Sequence, residues 1–143
     1  MSCARIAAIL DEEMIERSNT IASGITACLL SSLPRRDGVA VAKELGHRYL
    51  LRFVMESQLN LFLDGSPDVH YVTPTPYDPA DSPSWLALPR PENPREYVML
   101  LDASRIPEIQ GPRRTRGGHG IEYVLPRGFP KEAIYLEWPL KVT

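Results

Sequence analysis

Residues 113–125 read RRTRGGHGIEYVL, and this stretch decides both the fold and the function expected of the chain. It begins with arginines and glycines and ends in an apolar segment that carries a single acid, Glu122. Glycines let a backbone turn or approach a ligand closely, and arginine forks bind phosphates through paired hydrogen bonds. The pattern predicts a loop beside a phosphate-bearing ligand, followed by a strand that presents the acid. The alternative is a basic surface loop before an edge strand whose Glu122 faces water.

The composition is that of an ordinary globular domain. The chain has 143 residues, of which 43% are hydrophobic and 24% charged, and its net charge of −2 does not indicate a generally basic nucleic-acid binder. Of its 14 prolines, all but one follow residue 66, so that half should hold loops and short strands. No apolar run is long enough to span a membrane, and no signal peptide is evident. We expect a protein without a membrane partner that is cytoplasmic, or delivered into a target cell by a route the sequence does not show.

The pattern of apolar residues divides the chain into two parts. Apolar residues recur at four-residue spacing within 3–32, which predicts an amphipathic helix. Residues 1–45 are therefore an N-terminal helical segment, and residues 46–143 form the second domain. The short apolar runs of that domain, broken by proline and glycine, predict an α+β fold with a small, mostly antiparallel, twisted sheet.

The expected elements follow from the same pattern. Short helices are expected at 39–45 and 56–63, with one helical turn around Trp85. Residues 106–120 are expected to form a loop. Strands are expected at 48–54, 70–73, 95–102, 121–125 and 133–138.

Three segments resemble, in their order, the Arg … Ser/Thr … Glu pattern of ADP-ribosyltransferases. They are residues 46–49, 69–73 and 117–123. The chain is most similar to the small toxin domains of that superfamily at the ends of bacterial polymorphic toxins, and the likeness covers residues 46–143. The resemblance implies a split β-sandwich fold. It also implies an NAD+-dependent ADP-ribosyltransferase, or an NAD+ glycohydrolase, that acts as a bacterial toxin or effector.

The resemblance assigns three catalytic residues. Arg48 would contact the phosphates or the nicotinamide ribose of NAD+, and Thr73 would position the strand or the acid. Glu122 would bind a ribose hydroxyl and stabilise the positive charge that develops as the glycosidic bond breaks. Families that modify arginine carry Glu or Gln two positions before the catalytic Glu, where this chain has Gly120. An arginine acceptor is therefore doubtful, and another protein group, a nucleic acid and water stay open.

The resemblance also assigns residues that bind NAD+ as substrate. Gly117 and Gly118 would let the backbone approach the dinucleotide, and Tyr71 or Tyr123 would stack on the nicotinamide ring. A toxin of this kind would have a cognate immunity protein as a partner.

A second interpretation is a small ribonuclease toxin. Each of the three histidines lies in one of the three segments, and histidine serves as a general acid or base near neutral pH. Glu122 would be the partner base, and nearby arginines would hold the phosphate. The residues concerned are His47, His70, His119, Arg113, Arg114 and Arg116. The net negative charge of the chain argues against this interpretation.

A third interpretation is a non-enzymatic immunity or adaptor protein that uses the amphipathic N-terminal segment as its partner surface. It leaves the glycine and arginine residues of the loop without a role. No metal site is expected, because Cys3 and Cys28 lack the spacing of metal ligands and the histidines have no local ligand partners.

Overall fold

A computed structural model describes residues 33–141, except 79, 94, 116, 136 and 137. The helix predicted at 3–32 lies outside the described residues. Within them the chain folds into short antiparallel strands and a few helices, so the prediction of a mostly antiparallel α+β fold is confirmed.

The strands form three small sheets. The four-stranded sheet has the order β1 (Arg35–Arg36), β6 (Ile109–Arg114), β7 (Ile121–Leu125) and β4 (His70–Val72). The three-stranded sheet has the order β2 (Tyr49–Val54), β5 (Tyr97–Asp102) and β9 (Leu140–Lys141). The two-stranded sheet pairs β3 (Gly65–Ser66) with β8 (Phe129–Pro130).

Two α-helices connect these strands. Helix α1 (Gly38–Glu44) begins after Asp37, whose side chain accepts a 2.8 Å hydrogen bond from the Ala40 amide and so caps the first turn. Helix α2 (Ser82–Leu86) contains the turn predicted around Trp85. The helix predicted at 56–63 is a shorter 3-10 helix, and two more 3-10 turns follow β5 and β8. These three turns are Glu56–Leu61, Ala103–Arg105 and Lys131–Ala133.

Two sequence predictions are corrected here. The predicted loop at 106–120 contains strand β6, because a β-bulge shifts the register between Gln110 and Arg113 and so accommodates Gly111 and Pro112 within the strand. The described residues of the strand predicted at 133–138 form only an isolated bridge between Ile134 and Leu101, since the chain first makes a 3-10 turn at Lys131–Ala133.

The strand alternation separates two clusters of buried apolar side chains. The larger cluster holds Leu50 and Val54 of β2, and the smaller one holds Leu51 and Phe53 of the same strand. Successive side chains on a strand point to opposite faces, which explains this division. Residues Val41, Ala42 and Leu45, which the predicted boundary at 46 assigns to the N-terminal segment, pack into the larger cluster.

Candidate functional site

A buried ion pair lies at the centre of the four-stranded sheet. The register of β6 and β7 places Arg113 opposite Glu122, and their side chains are only 8% and 7% exposed. Arg113 Nε and one of its terminal nitrogens lie 2.8 and 2.7 Å from Glu122 Oε2. Both contacts go to Oε2. The other carboxylate oxygen, Oε1, makes no hydrogen bond within the described part of the chain.

Tyr71 lies on the same face of this sheet. It pairs with Val124 across β4 and β7, and directly paired residues of antiparallel strands project to one face. The Arg113 guanidinium carbon lies 5.9 Å from the centre of the Tyr71 ring, which is a cation–π contact. Tyr71 is 47% exposed, so its ring is open to a ligand.

Glu122 and Tyr71 line a small open cavity, together with Arg52 of β2. The rest of the lining is apolar and comes from β2, β4 and the end of α2. These residues are Leu51, Phe53, Val72, Leu86 and Leu88. An apolar wall with a few polar groups is typical of small-molecule sites, although this cavity is much smaller than most of them. It is too small to enclose a dinucleotide.

Arg52, which also lines this cavity, has its guanidinium carbon 5.3 Å from the centre of the Phe62 ring, a cation–π contact. One terminal nitrogen donates to the Tyr71 carbonyl at 3.3 Å, while the buried Nε has no hydrogen-bond partner among the described residues. Burial, and then repulsion from Arg95, lower the pKa of Arg52 to about 10, so it stays charged at neutral pH. No carboxylate in the described part of the chain forms an ion pair with Arg52. A bound anion would supply the missing partner.

Arg95 strengthens the positive potential beside Arg52. It is only 3% exposed, and its guanidinium donates to the backbone carbonyls of Arg90 and Asn93 at 3.2 and 2.6 Å. Burial lowers the pKa of Arg95, and Glu92 opposes this effect. Carbonyl oxygens hold this guanidinium in place without neutralising its charge.

The predicted catalytic residues Arg48 and Thr73 lie in different surroundings. Arg48 is exposed, precedes β2 and does not line the cavity. Four strand residues span about 13 Å, so Arg52 and not Arg48 reaches the cavity that Glu122 lines. Thr73 is fully buried, and its backbone exchanges hydrogen bonds of 2.9 and 2.7 Å with Leu51. It therefore fixes β4, and with it Tyr71, beside β2.

The predicted ligand-binding residues Tyr123, Gly117 and Gly118 also lie apart from the cavity lining. Tyr123 is fully buried in the larger cluster, on the opposite face of β7 from Glu122. Burial raises the pKa of its hydroxyl. Gly117 has a positive φ of 74°, which favours glycine. A Cβ on Gly118 would lie 2.3 Å from the Trp85 carbonyl oxygen, so this close approach is to α2.

The three histidines occupy three different environments, and none of them lines the cavity with Glu122. His70 packs between the rings of Phe62 and Phe129, and its Nε2 lies 2.8 Å from Ser66 Oγ. Burial, followed by repulsion from Arg52, lowers the pKa of His70 to about 4.

The other groups of the ribonuclease interpretation lie elsewhere. His47 is exposed after α1, and the His119 ring contacts Trp85. Arg114 is exposed at the end of β6, and Arg116 lies outside the described residues.

Sequence reasoning missed Arg52, Leu86 and Leu88. One signal was present, because Arg52 is the only charged residue in the apolar strand sequence YLLRFV. A charge in such a strand requires a partner or a function.

The described part of the chain contains no cluster of three His, Cys, Asp or Glu residues that could hold a metal ion. Among its helices, none is both long enough and apolar enough to cross a membrane.

Comparison of the chain with models of protein families, with curated proteins and with solved structures found no match.

Proposed function

We propose that the chain is an NAD+-dependent ADP-ribosyltransferase, or an NAD+ glycohydrolase, of the bacterial toxin or effector type. One observation carries this proposal: the carboxylate of Glu122 is held by Arg113 at the wall of a small apolar cavity, and its Oε1 makes no hydrogen bond to another described residue. Arg52 and the exposed ring of Tyr71 line the same cavity. The site thus offers an acid, a cation and a stacking surface together.

The reaction needs few groups from the protein. The bond between the nicotinamide nitrogen and ribose C1′ breaks, its electron pair moves to the nitrogen, and positive charge develops on the ribose. Oε1 of Glu122 would accept a hydrogen bond from a ribose hydroxyl, and the carboxylate would stabilise the positive charge on the ribose. Water or another acceptor then bonds to C1′ and releases a proton. Arg113 would keep the carboxylate in a fixed orientation through its two contacts with Oε2.

The cavity suggests how NAD+ would lie. The nicotinamide ring would stack against the exposed ring of Tyr71 at the mouth of the cavity, and the phosphates would extend toward Arg52. The resemblance gives the anion-binding role to Arg48, but Arg52 is the arginine that lines the cavity. We therefore assign this role to Arg52.

The split β-sandwich fold is part of the same proposal. In a split β-sandwich, two sheets pack against each other around a cleft. The four- and three-stranded sheets meet where Thr73 of one bridges Leu51 of the other, next to the cavity. This arrangement supports the split-sandwich interpretation. As a toxin, the protein would also have a cognate immunity protein, which would act by covering the cavity.

Incubation with NAD+ and measurement of nicotinamide release test this function. We expect release of nicotinamide, with ADP-ribose accumulating if water is the acceptor. Parallel incubation with RNA in the absence of NAD+ tests the ribonuclease interpretation. RNA degradation without nicotinamide release would replace the proposed function by a nuclease. Neither activity would point to a binding module.

A further inference from the structure

We propose that Trp85 and Tyr77 form a stacking subsite for a nucleobase next to Glu122. Their rings are stacked, with centroids 5.3 Å apart and planes inclined by only 8°. Trp85 nevertheless remains 41% exposed, so much of its ring is available to a ligand. Nucleobases bind proteins by stacking on aromatic rings of this kind, and every base can do so because each has a flat π-face.

The glycines at 118 and 120 hold this platform in place. The Trp85 carbonyl accepts hydrogen bonds from the amides of His119 and Gly120, at 3.0 and 2.8 Å. A Cβ on Gly118 or Gly120 would lie 2.3 or 2.9 Å from that oxygen, which is too close for a side chain. The glycines of this loop thus allow it to clamp the end of α2, and the ring of Trp85 is presented on a fixed backbone.

The platform is linked to the cavity of the proposed active site through the neighbours of its two rings. The Tyr77 hydroxyl accepts a 3.1 Å hydrogen bond from the amide of Ile121, the residue before Glu122. Leu86, which follows Trp85, lines the cavity itself. A ring stacked on Trp85 would therefore lie beside the carboxylate, where an acceptor group must meet ribose C1′.

The charges around the platform favour a nucleotide over an uncharged ring. His119 is exposed, and its ring lies 6.2 Å from that of Trp85 at an angle of 85°. Arg114 is also exposed. Its partner across β6 and β7 is Ile121, whose amide donates a hydrogen bond to the Tyr77 hydroxyl. A histidine beside the stack provides a hydrogen-bonding group for a base edge, and the arginine attracts a phosphate.

The subsite gives the proposed enzyme an acceptor class, and in this respect it rests on the proposed function. A ring nitrogen or exocyclic amine of the base would donate its electron pair to ribose C1′. The bond from C1′ to nicotinamide breaks, its electrons stay with nicotinamide, and the base loses one proton to water. The base comes either from a free nucleotide or from a nucleic-acid chain.

Tryptophan fluorescence gives a test that does not depend on turnover. The chain has two tryptophans, so Trp138→Phe leaves Trp85 as the sole reporter. We expect GMP or a short purine oligonucleotide to quench Trp85 emission saturably, and ribose 5-phosphate to leave it unchanged. A much tighter response to the oligonucleotide would identify a nucleic-acid acceptor, and quenching by GMP alone would identify a free nucleotide. No quenching by either, or equal quenching by ribose 5-phosphate, would overturn the proposal.

Calorimetric titration of variants gives an independent measure. Loss of a stacking ring weakens base binding about fivefold or more, so Trp85→Ala should lose affinity by that factor, and Trp138→Phe should keep it. Tyr77→Phe retains the stack and loses only the bond to Ile121, so it should still bind the base. Unchanged affinity in Trp85→Ala would overturn the proposal.

NAD+ turnover in the same proteins separates the two proposals. Nicotinamide release without base binding would leave the proposed function standing and remove the subsite. Base binding without nicotinamide release would leave the subsite standing and remove the proposed function. Trp85→Ala should change the KM for NAD+ by less than about twofold, because the platform serves the acceptor. A large rise in that KM would place the adenine of NAD+ on the platform and contradict the acceptor role.

Discussion

Two pairs of glutamate and arginine contact β7, and they differ in what else their carboxylates bind. Glu44 uses both oxygens, because Oε2 pairs with Arg36 and Oε1 accepts a 3.4 Å hydrogen bond from the Tyr123 hydroxyl. Among the described residues Glu122 uses only Oε2, which receives both contacts from Arg113. The first pair joins α1 to the sheet and is closed at its carboxylate, although the buried Nε of Arg36 has no hydrogen-bond partner in the described part of the chain. The second pair opens onto a cavity.

This difference separates a charge pair that belongs to the fold alone from one that borders a cavity. Arg36 also donates to the Gly111 carbonyl and lies 5.9 Å from the Tyr123 ring centre, and it does not line the cavity. The Glu122 carboxylate shares its cavity with Arg52, whose buried Nε has no partner among the described residues. Uncommitted polar atoms around one cavity are what a ligand site requires.

Replacement of the two arginines should show the largest difference. Arg113→Met leaves the Glu122 carboxylate buried without a counter-charge, and breaking a buried pair in this way costs about 3–5 kcal/mol in the free energy of unfolding. Arg36→Met should cost less, about 1–2 kcal/mol, because Glu44 is 25% exposed and keeps its hydrogen bond from Tyr123. Urea denaturation measures both values. A larger loss for Arg36→Met would reverse the comparison.

Arginine replacements in and before β2 test which of them holds the anion. Arg52→Gln should raise the KM for NAD+ about tenfold or more with little change in kcat, since a charged hydrogen bond is lost in ground and transition states alike. Arg48→Gln is the matched control and should leave KM nearly unchanged, because Arg48 does not line the cavity. The opposite outcome would restore Arg48 to the role that the resemblance gives it.

His70 provides a pH-dependent contrast, because this buried group has no counter-charge in contact with it. Its folded pKa, about 4, lies below the ordinary value of 6.5. The neutral ring therefore contributes stability that is complete above pH 6.5 and is lost as the pH falls through 4. Relative to the wild type, His70→Phe should have a melting temperature that falls less between pH 6.5 and 4. Parallel melting curves for the two proteins over this range would contradict the assignment.

The smallest effect is expected from a partly buried carboxylate whose two arginine partners are exposed. Glu108 lies 3.6 Å from Arg35 and 3.4 Å from Arg127, and both arginine side chains are more than half exposed. Glu108→Gln should change the free energy of unfolding by less than about 1 kcal/mol and leave any NAD+ cleavage intact. A loss comparable to that of Arg113→Met would mean that burial is not what distinguishes the pairs.

Local sequence patterns predicted the strands well where the strand contains no β-bulge and no Gly or Pro. The strand at 121–125 has the predicted bounds, because its apolar residues are buried on both faces. Strand β6 was not predicted, because Gly111 and Pro112 usually break strands and only the pairing with β7 shows the bulge. The run from Ile134 to Trp138 has apolar residues typical of a strand, yet its described residues form only one bridge.

The candidate site was predictable in part for a similar reason. Glu122 and Tyr71 belong to segments whose chemistry is visible in the sequence, and both line the cavity. Arg52 was not chosen because the register of β4 against β2, set by the Leu51–Thr73 bridge, decides which arginine approaches the acid. The glycines beside Trp85 looked like a ligand loop, since close approach to a helix and to a ligand need the same residue.

Nicotinamide release by two matched variants tests the central claim most directly. Glu122→Gln removes the charge that would stabilise the ribosyl cation, and loss of such a contact lowers kcat about a hundredfold or more. Glu44→Gln makes the same chemical change in the closed pair and should keep wild-type turnover, although it lowers the free energy of unfolding. Turnover is measured well below both melting temperatures, with folding checked by circular dichroism. Full activity in Glu122→Gln, or equal loss in both variants, would contradict the account.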